Sequence, residues 1–125
     1  MITMKKTCQR FAGILASLLA LSSSFAFAAT GTAAKSAILI DSTSVDFQAY
    51  NIDGFNYLKL RDMAMALTGT AKQFAVAYDS AQNKVVITTD QAYTPAGGEL
   101  AQGNGASVNA TRSQATVLID GKSVS

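Results

Sequence analysis

The sequence predicts an α+β domain in which a small antiparallel β-sheet, made of two hairpins, packs on one short α-helix. Three observations carry this. Residues 37–50 hold an apolar run, a polar cluster and an alternating apolar segment, the pattern of a β-hairpin. Residues 60–67 carry a brief apolar period of 3.6. Residues 74–89 repeat the alternating pattern around a second polar cluster. Hairpin, helix, hairpin is the order of an antiparallel sheet covered on one face.

The N-terminal segment is a processing signal before it is structure. Lys5, Lys6 and Arg10 form a positive region, Phe11 to Leu21 is apolar and uncharged, and Ala26-Phe27-Ala28 is a small-x-small cleavage pattern. A secretory signal peptide spanning 1–28 follows, with cleavage after Ala28. The apolar stretch is short for a span, which takes about 20 residues. Cys8 precedes that stretch and is not placed as a lipoprotein cysteine. The remaining chain carries seven basic and eight acidic residues, because three of the ten basic ones lie in the signal. No basic patch argues for nucleic acid. Without its signal the chain has neither Cys nor His, so its core alone holds it.

Residues 29–36 are small and polar and read as a flexible leader. Ala37 to Asp41 and Val45 to Tyr50 form the first hairpin, and Asn51-Ile-Asp-Gly54 the next turn. Phe55 to Leu60 is a short strand or extended lead-in. A helix near Arg61–Thr68 follows, since Leu60, Met63, Ala64 and Leu67 fall on one face. Asp62 complements its dipole and Gly69 stops it. Phe74, Val76 and Tyr78 alternate with alanines, Asp79 to Asn83 turns, and Lys84 to Thr89 returns. Residues 37–100 thus form the domain. Residues 101–115 are nearly free of large apolar groups and read as a flexible linker.

The apolar pattern returns at Thr116. Ile38 to Asp46 (ILIDSTSVD) and Val117 to Ser125 (VLIDGKSVS) align without a gap, with five of nine residues identical. Residues 116–125 therefore read as the start of a second copy of the unit. The alternative is a last edge strand of the first domain.

The segment from Ala49 to Leu100 resembles the copper amine oxidase-like N-terminal domain, or stalk domain, of secreted bacterial proteins. The residues that carry the resemblance are Tyr50-Asn-Ile-x-Gly54, Asn56-Tyr-x-Lys-Leu-Arg-Asp62, Leu67-x-Gly-Thr70, Gln73-Phe74, Tyr78-Asp79, Asn83 and Tyr93-Thr-Pro-x-Gly-Gly-Glu-Leu100. The resemblance implies a twisted antiparallel sheet around a helix, often in tandem copies, outside the cytoplasm. It also implies that the chain is the N-terminal fragment of a longer protein. It brings no activity, because a copper site of that family needs three histidines and this chain has none.

No enzyme, catalytic residue, metal site or cofactor is expected. Serine nucleophiles lack a histidine base, and most aspartates fall in turns, where their backbone chemistry explains them. Tyr57, Lys59 and Arg61 share one face if their segment is extended. The functional reading is a surface for a cell-wall polymer or another extracytoplasmic protein. The structural reading, an ion pair and a cover for the helix start, is preferred. Tyr50, Phe55 and Tyr93 could stack on sugar rings where exposed, although aromatics of small domains more often belong to the core or its rim. The expected function is a non-catalytic extracytoplasmic stalk, spacer or attachment module. The alternative is a glycan- or protein-binding domain at the cell wall. No membrane span is expected once the signal is removed.

Overall fold

The computed structural model describes residues 28–124, so residues 1–27 of the signal peptide, Ala26 of its cleavage site among them, lie outside the described residues. Ala28 is exposed immediately before the first strand. Among the described residues the fold is mostly β with one short helix and two four-stranded sheets.

Strands β1 (Ala29–Ile40) and β2 (Thr43–Ile52) form the first hairpin. Asp41 and Ser42 both adopt left-handed backbone, with φ of 47° and 66°, as a tight hairpin turn with the twist of the strands requires. Strand β3 (Phe55–Leu58) pairs with β2 after a second such turn at Asp53-Gly54. Helix α1 (Leu60–Leu67) follows, one residue earlier at each end than its sequence period implies. Asp62 lies in its first turn, and Gly69, at φ 87°, takes the left-handed step after its end. Strands β4 (Phe74–Asp79) and β5 (Lys84–Thr89) form the second hairpin in full register, Phe74 opposite Thr89 and Asp79 opposite Lys84. Short strands β6 (Val108–Ala110), β7 (Thr116–Ile119) and β8 (Lys122–Val124) follow. The sheet orders are β3-β2-β1-β6 and β4-β5-β7-β8.

The two expected hairpins are present, but each belongs to its own sheet rather than to a single one. The second sheet is mixed, because β7 runs parallel to β5. The core centres on Phe47 and Ala49 of β2, Ala64 of α1, and Tyr93, all buried. Full burial of a side chain such as Phe47 contributes about 1.5–3 kcal/mol.

Two segments depart from their expected irregularity. Residues 29–36, read as a leader, are the first two-thirds of β1 and pair with β2 and β6. A β ladder is made by backbone groups and does not need large side chains. Small residues are what this place admits: a Cβ on Gly31 would lie 3.0 Å from Val108 Cγ2 and 3.4 Å from Ile52 Cγ1. Residues 101–115, read as a linker, form a strap whose start is hydrogen-bonded to β2 and whose middle is β6. Gln102 Nε2 donates to Asp46 O at 3.2 Å, and Gly103 N donates to Gln48 Oε1 at 2.8 Å. Residues 116–124, expected to open a second copy, form a β7–β8 hairpin seated on β5. Among the described residues, no helix is long and apolar enough to cross a membrane.

Candidate functional site

The residues singled out from the sequence are divided between two concave surfaces, one sheet face and the core. Lys59 ends the extended segment and is the N-cap of α1, and Arg61 already lies in the first helical turn. Both line a cleft of about 420 Å³ with Leu60, Asp62, Val76, Tyr78, Val85 and Gly97 to Glu99. Tyr57 instead lines a groove of about 580 Å³ with Ile52, Asp53 and Arg112. Tyr50 and Tyr57 are direct cross-strand partners, as are Ile52 and Phe55, so these four share one sheet face. Phe55 is 69% exposed and Tyr57 52%, whereas Tyr50 is half-buried. Tyr93 is buried.

The cleft at the helix start is built around two carboxylates. Asp62 is 1% exposed. Its Oδ1 accepts from Leu100 N at 2.9 Å, which anchors the beginning of the strap. Its Oδ2 lies 3.5 Å from Lys59 Nζ and has no hydrogen-bond partner among the described residues. The ammonium balances the buried charge without a short bond, one turn along the helix. The ion pair of the structural reading is therefore present, and it sits where a negative charge complements the helix dipole.

Glu99 is held by its own loop. Its Oε1 accepts from Tyr93 Oη at 2.7 Å and from Ala96 N at 2.7 Å, and its Oε2 accepts from Gly97 N at 2.9 Å. The Gly97-Gly98 pair, at φ 108° and 80°, gives the tight backbone curve that aims these amides inward. The Tyr93 hydroxyl first, and then the Ala96 amide, hold the Glu99 carboxyl down at about 2. The same bond, with burial, raises the Tyr93 phenol above its usual value. Tyr93 N also donates to Thr68 Oγ1, which itself donates to Ala64 O, so this loop is fixed to the end of α1.

A third carboxylate, Asp120, closes the second sheet. Its Oδ1 accepts from Thr89 N at 2.9 Å and its Oδ2 from Thr89 Oγ1 at 2.7 Å. These two bonds from Thr89 lower its pKa.

Asp62, Glu99, Asp120 and Gln48 thus emerge as the polar residues with the most defined partners. Sequence reasoning gave Asp62 a dipole role and overlooked the others as clamps. The available signal was the Tyr93-x5-Glu99 spacing around a Pro and two Gly, which places an acceptor opposite freshly exposed loop amides.

Chemically, each of these three carboxylates accepts from a backbone amide. A general base works best with a pKa near the operating pH, and Glu99 is moved the other way. Among the described residues, no three His, Cys, Asp or Glu side chains come together as a metal would require. Compared with known proteins, the chain matches no family model, no curated protein and no solved structure.

Proposed function

We propose that the chain is a non-catalytic extracytoplasmic module, a stalk or spacer of a larger secreted or cell-surface bacterial protein. One observation carries this reading: the carboxylates with the most defined surroundings are bound by internal partners. Asp62 holds the strap, Glu99 its own loop, and Asp120 the last hairpin. Their chemistry maintains shape. The resemblance to stalk domains supports the same reading, and with it a sheet twisted about α1 and a copy of the unit following the first. The N-terminal signal supports a place outside the cytoplasm.

A second reading, a glycan- or protein-binding domain at the wall, is favoured by a different observation. Phe55 and Tyr57 stand exposed on one face beside Tyr50, and Tyr57 borders a groove with Arg112. Exposed aromatic rings beside a guanidinium suit stacking on sugars. Co-sedimentation of the signal-free protein with purified cell-wall polymer separates the two. A spacer remains in the supernatant. Retention on the polymer, lost on Tyr57→Ala and kept in Leu39→Ala, moves the function to the second reading.

A further inference from the structure

The two similar sequence segments are also the same structural unit. In the first hairpin Ile38 pairs with Val45, Leu39 with Ser44 and Ile40 with Thr43. In the last, Val117 pairs with Val124, Leu118 with Ser123 and Ile119 with Lys122, the same register shifted by the sequence offset. The turns match as well: Asp41 and Asp120 have φ of 47° and 49°, and the next residue is left-handed in both.

Their surroundings differ. The outer edge of β7 lies along β5, Val85 beside Val117 and Ile87 beside Ile119. Asp120 N donates to Ile87 O at 3.0 Å, and the Asp120 carboxylate takes both donors of Thr89. The corresponding edge of β1, the one away from β2, is open: β6 covers only Ala29 to Gly31 of it, and among the described residues no strand lies on that side of Ala37 to Ile40. Leu39 is 73% exposed there, while its counterpart Leu118 is half-buried, and Asp41 is exposed at the turn. An open edge presents unpaired donors and acceptors to another strand.

We propose that the edge of β1 from Ala37 to Asp41 docks the β5 strand of a second copy of this chain, in parallel and in the register that β7 uses. Lys84, Val85, Val86 and Ile87 of the second copy then lie beside Ala37, Ile38, Leu39 and Ile40. Asp41 takes the place of Asp120 at Thr89. The β1–β2 hairpin of one molecule displaces the β7–β8 hairpin of the other, because both fit one strand edge. The contact is heterologous, so copies join head to tail. This inference goes beyond the spacer reading and does not depend on it.

Sedimentation equilibrium of the signal-free protein across a wide range of concentration tests this. Asp120→Ala loosens the resident hairpin and is expected to lower the concentration of half-association about tenfold, as loss of one charge-assisted contact would. Adding Asp41→Ala is expected to raise the concentration of half-association again by about tenfold, since the same contact is lost between molecules. A second measurement does not depend on that variant folding well. The signal-free chain lacks cysteine, so Leu39→Cys with Val86→Cys is expected to form a disulfide between molecules under mild oxidation, and Leu39→Cys with Lys84→Cys is not. A protein that stays monomeric in Asp120→Ala, association indifferent to Asp41→Ala, or equal cross-linking in both pairs would overturn the proposal.

Discussion

Asp62 combines burial, a charge and a distant backbone partner. It sits at 1% exposure, receives Leu100 N, and has the Lys59 ammonium at 3.5 Å. Removing a partner from a half-buried amide costs about 1–3 kcal/mol, whereas substituting a group that keeps the acceptor costs less. Asp62→Ala is therefore expected to destabilise the protein by about 1–3 kcal/mol, with the loss visible as a lower urea midpoint. Asp62→Asn retains an oxygen for Leu100 N and should fall between the two. Lys59→Ala leaves the buried Oδ2 without its counter-ion and should cost more than the about 0–1 kcal/mol of a fully exposed pair. If Asp62→Ala unfolds at the wild-type midpoint, the strap is not anchored at this carboxylate.

Among the elements, those with strong periodicity or turn chemistry were legible and the others were not. The first hairpin was readable because Val45, Phe47 and Ala49 alternate beside a polar cluster. Helix α1 was readable because Leu60, Met63, Ala64 and Leu67 recur at helical spacing. The first part of β1 gave no such signal: Ala29 to Ala34 has small side chains, and its order comes from the ladder to β2 and from β6. The parallel pairing of β7 with β5 was equally hidden, since a crossover leaves no local pattern. For the site, the sequence marked the vicinity through Lys59, Arg61 and Asp62. It did not show that Tyr93 and Glu99 close on each other, which depends on a loop geometry set by Gly97 and Gly98. Gly31 puts the element argument to a test. A Cβ there would meet Val108 Cγ2 at 3.0 Å and Tyr50 Cβ at 3.4 Å. Gly31→Val overfills the junction of β1, β2 and β6, and overpacking costs about 1–3 kcal/mol. Amide exchange should accelerate at Val108 to Ala110 while Phe74 to Asp79 remain protected. Unchanged exchange at β6 would show that β6 does not depend on this close approach.

At the scale of the molecule, the carboxylate clamps tie together segments that the hairpins alone leave separate. Glu99 shapes the loop that Tyr93 fixes to α1, and Asp120 joins the last hairpin to β5. Both carboxyls have pKa values lowered in the folded state, Glu99 to about 2 from 4.5. A lowered carboxyl contributes stability that is present above its unfolded pKa and is lost as pH falls through the folded one. For Glu99 that window runs from about 4.5 down to about 2. The Tyr93 phenol has the opposite sign. Its pKa is raised from 10.0, so its contribution is complete below pH 10.0 and is lost as pH rises through the higher folded value. Stability should therefore form a plateau between these limits. On the acid side the loss should be ordered in space, because β1 and β2 are joined by backbone bonds that do not titrate. Thermal unfolding followed by circular dichroism should show a melting temperature that is level from pH 6 to 8 and falls below about 4.5, the unfolded carboxyl value. Hydrogen exchange at the acid end should release Tyr93 to Gly103 and the β7–β8 hairpin before β1 and β2. Acid unfolding that opens all of these together, or begins in the β1–β2 ladder, would mean that the carboxylate clamps do not set the acid limit of the fold.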